Sequence, residues 1–321
     1  MVQILGGKLI REDVTSTARG GTELMAEKMV ESLDPDLLAK FQIVHSRVRE
    51  LDFSKKRIFV AHDLPGDPES AFLASGGYNQ FDKIIFVSNW QMQRYIEFYG
   101  IPWHKCLVLL NAIDPLNSNE RSLVDFDIEP VKIVYHTTPH RGLDILANAY
   151  NHFKSNHKRN ITLDVYSSFE IYGWKQRDEE FKELFDFLKS TDGITYHGSV
   201  KHEELVEVLP TYDIFAYPSV WPETSCISLM EAMSAGLLCV HPNYAALSET
   251  AGHVTAMYQW QENKRDHLRE FSLHLLEAIE TVKTFEWHDS YNQQFQIDYA
   301  NHAFDWQTRM GQWDAVLKNL L

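Results

Sequence analysis

Short apolar segments alternate with amphipathic segments through most of the chain, and the alternation is most regular in the second half. Segments of strand length recur there between stretches whose apolar residues repeat every three or four positions. The strand candidates are VKIVYHT, ITLDVYSS, DIFAY, LLCVH and VTAMY. Buried strands that alternate with helices form a parallel sheet covered on both faces. The second half therefore predicts a doubly wound α/β domain.

The first half follows the same pattern, with loops and shorter helical segments between the strands. Its strand candidates are MVQILGG, FQIVHS, RIFVAHD, the segment that ends at Val87, and HKCLVLL. A polar loop follows the first strand, and Gly20 and Gly21 then precede a helix with Met25 and Met29 on its apolar side. Two glycines at this place let the backbone approach a ligand, although a plain helix entry explains them equally well.

Length and local composition predict two domains. A chain of 321 residues is more easily built on two cores than on one. Residues 114–129 are polar and lack periodicity, which is typical of a linker. We expect an N-terminal domain at residues 1–127, a C-terminal domain at residues 128–302 and a final amphipathic helix at residues 303–321.

Residues 217–236, with the sequence YPSVWPETSCISLMEAMSAG, predict the end of a buried strand, a turn and a helix. Pro218 breaks the strand. Thr224 or Ser225 is a suitable N-cap for the helix, which should end at Gly236. This is the part of the chain where we expect the chemistry.

Two carboxylates flank the predicted start of this helix. Glu223 stands before it, and Glu231 lies inside it, with its side chain leaning back toward the N-terminal end. The free backbone amides around Ser225 and Cys226 attract an anion, and the helix dipole adds to that attraction. Carboxylates accept hydrogen bonds from hydroxyl groups. An anion seat between two such carboxylates suits a nucleotide sugar.

The net charge narrows the range of partners. A formal charge of -15 argues against a nucleic-acid partner, whose phosphates need a basic surface. It also disfavours tight binding to anionic lipid. The acidic excess lies mostly in the C-terminal half, so the N-terminal half is better suited to contact an anionic acceptor or, peripherally, a membrane.

Cysteines, apolar runs and acidic pairs predict a cytoplasmic protein without a metal. The three cysteines have no metal-ligand spacing and form no even disulfide set. No apolar run approaches the roughly 20 residues that span a bilayer, and the N-terminus turns polar too early for a signal peptide. The D-x-D pairs Asp34/Asp36 and Asp125/Asp127 fall before a helix and in the predicted linker, so we interpret both as chance.

The stretch around the two glutamates resembles the signature of a known family. Glu223, Glu231, Ala232, Met233 and Gly236 match the pattern PS-x3-E-x7-EAM-x2-G of retaining GT-B glycosyltransferases, especially the large family 4. The resemblance implies a GT-B fold. In that fold, two Rossmann-like domains with doubly wound parallel sheets face a cleft, and a C-terminal helix crosses back to the N-terminal domain.

The resemblance also implies functions for residues of this stretch. In the family the first glutamate contacts the donor sugar and the second holds the ribose hydroxyls, which implies these roles for Glu223 and Glu231. The family's usual Phe-Gly after the first glutamate is absent here, which leaves the donor sugar open. The other residues of this stretch expected to bind the donor are Thr224, Ser225, Cys226 and Ile227.

A second segment resembles the family's diphosphate clamp. Residues 136–142 (HTTPHRG) stand in the place of a GR-x(3-4)-KG segment, and Arg141 matches its lysine. Arginine can bind phosphate through two parallel hydrogen bonds. His136 and Thr137 replace the family's glycine-arginine pair, which leaves His140 as the other candidate cation.

Two positions of the N-terminal half also match the family. Gly20 and Gly21 resemble a glycine-rich entry that faces the donor phosphates and the acceptor. A histidine of the N-terminal domain faces the donor sugar in the family; His62, at a strand end, is our candidate, and His45 is its rival. The implied catalytic set is thus Glu223, His62 and Arg141.

The expected function is a retaining, metal-independent glycosyltransferase without a cofactor. Its co-substrate would be a nucleoside diphosphate sugar, and its acceptor a glycan, a lipid-linked molecule or a small molecule. Two alternatives stay open. The altered clamp and missing glycines fit a degenerate GT-B subunit that binds a glycan or nucleotide without catalysis. A GT-B phosphorylase or sugar-nucleotide epimerase would share the same fold.

Overall fold

The computed structural model describes residues 2–11, 21–116, 129–157, 160–284, 286–288 and 290–321. The chain divides into two compact units. The N-terminal unit consists of Met1–Ile113 together with Phe304–Leu321, and the C-terminal unit of Asp114–Ala303. Most of the predicted linker, with the predicted domain limit at residue 127 and the pair Asp125/Asp127, lies outside the described residues.

The N-terminal unit is built on a six-stranded sheet in the order β2-β1-β3-β4-β5-β6. Its strands are β1 (Val2–Leu5), β2 (Lys8–Arg11), β3 (Phe41–His45), β4 (Lys56–Ala61), β5 (Lys83–Phe86) and β6 (Cys106–Val108). Strands β3 to β6 are parallel, whereas β1 is antiparallel to both neighbours. The predicted polar loop after Gly7 was wrong in part. Gly6 and Gly7 both have positive φ and close a two-residue hairpin into β2.

Helices pack on both faces of this sheet. They are α1 (Gly21–Ser32), α2 (Pro35–Leu38) and α3 (Asn89–Tyr99), with 3-10 segments at Pro68–Gln80 and Trp103–Lys105. Because side chains alternate along a strand, Ile58 and Val60 of β4 join one apolar cluster and Phe59 and Ala61 join the other. The central strands are therefore apolar at almost every position.

The C-terminal unit carries a second six-stranded sheet, in the order β12-β11-β10-β7-β8-β9, and all its strand pairs are parallel. The strands are β7 (Val131–Tyr135), β8 (Ile161–Val165), β9 (Ile194–Tyr196), β10 (Ile214–Ala216), β11 (Leu238–Pro242) and β12 (Ala256–Tyr258). The order runs outward in both directions from the β7–β10 pair. The doubly wound parallel sheet expected from the sequence is confirmed.

Seven α-helices are described in this unit: α4 (Leu143–His157), α5 (Lys182–Ser190), α6 (His202–Val208), α7 (Ile227–Ser234), α8 (Leu247–Ala251), α9 (Lys264–Lys283) and α10 (Tyr291–Ala303). Shorter 3-10 turns lie at Pro139–Arg141, Phe169–Tyr172, Lys175–Phe181 and Leu209–Thr211. Helix α10, which the sequence pattern did not reveal, packs against α7. Its Gln296 amide donates to the Leu237 carbonyl at 2.8 Å.

The C-terminal helix α11 (Trp306–Leu320) belongs to the N-terminal unit. Asp305 caps it by accepting the Thr308 amide. Met310, Trp313 and Leu317 are buried in the same apolar cluster as β1, β3 and β4. The predicted return of this helix to the N-terminal domain is confirmed.

Candidate active site

The candidate site lies in the C-terminal unit, at the carboxyl edge of its sheet. The loops after β7, β8 and β10 meet there, because β10 and β8 are the two parallel neighbours of β7. This edge is where open α/β sheets bind ligands. It carries the predicted clamp at residues 136–142 and the predicted stretch at residues 217–231.

Helix α7 starts later than we predicted. Its N-cap is Cys226, in an extended conformation with φ −129° and ψ 91°, and no side chain caps it. The Cys226 carbonyl accepts both the Leu229 and the Met230 amide at 3.1 Å. Thr224 and Ser225 therefore precede the cap, and the N-cap prediction was wrong. Ile227 is the first helical residue, and the amides of Ile227 and Ser228 have no acceptor inside the helix.

Glu223 is buried and receives two hydrogen bonds on the same oxygen. Arg141 Nη1 donates to Oε1 at 2.6 Å, and the Tyr217 hydroxyl donates to that atom in a very short bond. Both predicted residues, Arg141 and Glu223, therefore meet in the site. The side chains are 20% and 4% exposed. Tyr217, whose ring is fully buried, was missed by sequence reasoning because only the fold brings its hydroxyl to the carboxylate.

A glycine allows this contact. Gly142 has φ 109°, which other residues rarely adopt, and a Cβ built on it would lie 2.1 Å from the Pro218 carbonyl oxygen. The loop after β7 can therefore approach the loop after β10 closely. Arg141 precedes this glycine, and its guanidinium thereby reaches Glu223.

The electrostatics of this cluster favour a charged arginine. Burial alone would lower the pKa of Arg141, but the Glu223 charge beside it raises the pKa above its usual range. Burial, and then the Glu223 charge, raise the pKa of Tyr217 well above its ordinary value. The phenol thus stays protonated and can donate.

Glu231 lies on α7, and a histidine holds its carboxylate. His202 Nε2 is 2.5 Å from Glu231 Oε1, and the two side chains are 30% and 6% exposed. His202 is the first residue of α6. Sequence reasoning missed this contact, since His202 and Glu231 are 29 residues apart in sequence.

Buried polar atoms collect at this edge without partners. Within the described residues, no hydrogen bond reaches His136 Nδ1 and Nε2, Thr138 Oγ1, His140 Nδ1, Arg141 Nε, Ser167 Oγ and Ser225 Oγ. A buried polar atom without a hydrogen bond costs about 1–3 kcal/mol. These atoms have donor and acceptor capacity that no residue in the described parts of the chain uses.

The two histidines of the clamp segment are neutral at pH 7. Burial, with a smaller contribution from the nearby His202, lowers the pKa of His136 to about 3. Burial, with the charges of Arg141 and Arg177, lowers the pKa of His140 to about 4. His140 therefore does not supply the second cation that we considered for the clamp.

Aromatic rings form one wall beside the clamp. The His140 ring stacks on Phe169 with centroids 5.2 Å apart and meets Trp221 edge-on at 4.8 Å. Arg177 lies over the Phe169 ring, 4.3 Å from its centroid. Sequence reasoning missed these neighbours, because Phe169 follows β8 and Trp221 follows β10.

The predicted residues of the N-terminal half lie in the other unit. His45 Nδ1 and His62 Nε2 are 3.0 Å apart, since His45 ends β3 and His62 follows the adjacent parallel strand β4. Burial lowers the pKa of His62 to about 4. Both rings line a cavity of about 20 Å³ together with Arg309 of α11. Gly21 begins α1, and Gly20 lies outside the described residues.

The described residues contain neither a cluster of metal ligands nor a helix that could span a membrane. In the part of the chain that the structure describes, no group of three or more His, Cys, Asp or Glu side chains could hold a metal ion. Asp34, of the first D-x-D pair, instead caps α2 by accepting the Asp36 amide at 2.9 Å. None of the described helices has both the length and the apolar composition needed to cross a bilayer.

Residues 131–279 match the sequence model of a protein family described as "Glycosyl transferases group 1". The match includes the clamp segment, Glu223, Glu231 and His202. It covers less than half of the chain. A comparison with curated protein sequences finds no match.

Solved glycosyltransferase structures share the fold at low sequence identity. A glycosyltransferase from Rickettsia africae superposes with a TM-score of 0.66 and 17% identity, over 97% of this chain and 83% of that one. HepE from Anabaena, in complex with UDP-glucose, gives 0.64 and 14%, over 94% and 77%. The pneumococcal O-GlcNAc transferase GtfA, with UDP and GlcNAc, gives 0.58 and 13%, over 83% of this chain and 53% of that one. These similarities identify the two-unit GT-B fold.

Proposed function

We propose that this protein is a retaining, metal-independent glycosyltransferase that moves a sugar from a nucleoside diphosphate sugar to an acceptor hydroxyl. The observation that carries the proposal is the Arg141–Glu223 contact of 2.6 Å beside the start of α7. A phosphate-binding cation, a sugar-binding carboxylate and free helix amides lie together there, inside the segment that matches a glycosyltransferase model.

Each of these groups has its own role in the proposed sugar transfer. Arg141 and the amides at the start of α7 stabilise the negative charge that grows on the leaving diphosphate. Glu223 orients the donor sugar through hydrogen bonds from its hydroxyls. Glu231 accepts a hydrogen bond from the ribose of the nucleotide. Before the donor binds, Arg141 is neutralised by Glu223, so the diphosphate competes with this carboxylate for the guanidinium.

The proposed transfer step is a front-face displacement. The bond from the sugar C1 to the diphosphate oxygen breaks, and a bond from C1 to the acceptor oxygen forms on the same face. The proton of the acceptor hydroxyl passes to the departing diphosphate. The anomeric configuration is thus retained. The donor-binding roles that the resemblance implies for His62, Gly20 and Gly21 are part of the same proposal.

Partners and location follow from the same proposal. The N-terminal unit binds the acceptor, which is a glycan, a lipid-linked molecule or a small molecule, and could contact a membrane peripherally. The structures of HepE with UDP-glucose and GtfA with UDP support a nucleotide-sugar donor. A cytoplasmic location is proposed on the sequence features alone.

A donor screen followed by an activity assay tests the proposal. Sugars of UDP, GDP, ADP and TDP are compared by thermal shift, since a ligand that binds only the folded state raises its melting temperature. With the best donor, we expect transfer or slow hydrolysis of the nucleotide sugar. Glu223→Ala should abolish this activity, and EDTA should leave it unchanged. NMR should show that the product keeps the anomeric configuration of the donor. Inversion would refute retention, and loss of activity with EDTA would refute metal independence.

The altered clamp supports a second candidate, a subunit that binds nucleotide or glycan without catalysis. The segment holds one permanent cation, Arg141, while His136 and His140 are neutral at pH 7. The diphosphate would then be held more weakly than by two cations. Turnover of any nucleotide sugar that depends on Glu223 excludes this candidate. Binding without turnover in the presence of every acceptor class would favour it.

A further inference from the structure

We propose that His202 is a positioning residue that fixes Glu231 for the ribose, so that the contact between them sets the preference for ribonucleotides. The inference rests on the proposed function, because it assigns the Glu231 carboxylate to the ribose. It concerns a residue outside the motif that carried the family resemblance. His202 Nε2 and Glu231 Oε1 are 2.5 Å apart.

The contact joins two helices that begin at the same edge of the sheet. His202 is the first residue of α6, which follows β9 and a turn at Gly198 with φ 71°. Glu231 is the fifth residue of α7. His136, at the end of β7, lies near enough for the His202 charge to lower its pKa. The His202 side chain thus extends from the start of α6 to the buried Glu231 carboxylate.

The chemistry of the pair determines which oxygen a ligand can use. An ionised carboxylate can only accept hydrogen bonds, so the hydrogen lies on His202 Nε2. With Oε1 held by the histidine, Oε2 is the oxygen presented to a ribose hydroxyl. The histidine also restricts the rotation of the glutamate side chain, and a side chain that is already ordered loses less entropy when the ligand binds.

A second histidine–carboxylate pair in the same unit provides a matched control. His197 Nε2 is 2.6 Å from Asp164 Oδ1, and its side chain is 30% exposed, like that of His202. His197 stacks on Tyr166, and its carboxylate partner is Asp164 rather than Glu231. If His202 serves only the stability of the fold, the two histidines should behave alike in a binding assay.

The test measures binding of UDP, 2′-deoxy-UDP and 3′-deoxy-UDP by calorimetry. Two amide variants are compared: His202→Gln can place its amide where Nε2 lies, whereas His202→Asn is too short. We expect His202→Asn to weaken UDP binding about tenfold, as for the loss of a hydrogen bond to a charged group. It should leave the affinity for at least one deoxy analogue unchanged. His202→Gln should restore most of the UDP affinity, and His197→Asn should change none of the three.

Failure of the inference can be separated from failure of the proposed function by Glu231→Ala. Suppose that Glu231→Ala weakens UDP binding. If His202→Asn then leaves UDP binding unchanged, or weakens the binding of all three ligands equally, the positioning role of His202 is wrong and the role of Glu231 stands. If Glu231→Ala leaves UDP affinity unchanged, the ribose contact itself is wrong, and both proposals fall. Circular dichroism confirms that each variant is folded.

Discussion

Removing the negative charge of Glu223 should lower stability and turnover while it strengthens nucleotide binding. Glu223→Gln keeps the shape of the side chain and can still accept from the Tyr217 hydroxyl, but it leaves the Arg141 charge without its partner. Breaking a buried ion pair in this way costs about 3–5 kcal/mol, and the 20% exposure of Arg141 places this pair near the lower limit. For a unit of this size, about 3 kcal/mol lowers the melting temperature by about 6–12 °C.

The same substitution has the opposite effect on the ligand. In the wild type, the diphosphate must compete with Glu223 for Arg141. In Glu223→Gln this competition is absent, so we expect UDP to bind about threefold to tenfold more tightly. Turnover should fall about 100-fold, as when one electrostatic contact to the reacting group is removed. A variant that is less stable and less active, yet binds UDP better, is difficult to explain by general damage.

Glu69→Gln is the matched control for stability. Arg49 and Glu69 form an ion pair at 2.7 Å in the N-terminal unit, but the two side chains are 38% and 33% exposed. Exposed pairs contribute less than about 1 kcal/mol. Calorimetric unfolding and UDP titration of both variants complete the assay. Weaker UDP binding by Glu223→Gln would contradict the competition between Glu223 and the diphosphate. Equal melting shifts in the two variants would contradict the stability cost expected for a buried pair.

Three further outcomes are expected. Glu231→Ala should weaken UDP binding about tenfold to 100-fold with little change in turnover at saturating donor, as measured by calorimetry and steady-state kinetics; a change in kcat alone would contradict a ribose contact. Tyr217→Phe should lower kcat about tenfold with an unchanged KM for the nucleotide sugar, because it removes one of the two hydrogen bonds that Glu223 accepts. Tyr150→Phe is the control, since it removes a buried hydroxyl bonded to the Ile161 carbonyl at 3.1 Å and should leave both constants unchanged. The free energy of unfolding should fall as pH falls below about 6.5, because His136 is then protonated in the unfolded chain but not in the folded chain, where its pKa is about 3. This histidine alone accounts for about 2 kcal/mol between pH 7 and pH 5. Denaturation of His136→Asn should show a correspondingly smaller pH dependence.

The sequence predicted those parts of the fold that depend on local periodicity. Strand β4 is apolar at consecutive positions because both of its faces are covered, and α11 shows its apolar stripe for the opposite reason, since one side faces solvent. Strand β2 escaped prediction because KLIR is short, lies at the sheet edge and is only half-buried. Its antiparallel pairing with β1 identifies it as a strand, whereas its composition does not.

At the site, prediction succeeded for Arg141 and Glu223 because each sits in a recognisable segment, and the fold brings the two segments together. It failed for the N-cap of α7, where the usual preference for Thr or Ser was outweighed by the path of the chain from buried Glu223 to Cys226. Tyr217 and His202 could not be assigned, because their significance lies in contacts with Glu223 and Glu231 that no local pattern encodes. Gly20 lies outside the described residues, so its donor contact stays a prediction.

Gly142 limits how the site can change over evolution. Any residue with a side chain at this position would have to keep its Cβ about an ångström further from the Pro218 oxygen than the present backbone allows. The two loops would then separate, and a contact of 2.6 Å between Arg141 and Glu223 could not span the added gap without rebuilding both loops. The lack of a side chain at Gly142, an uncharged residue outside the ion pair, therefore determines how closely the charges of Arg141 and Glu223 can approach.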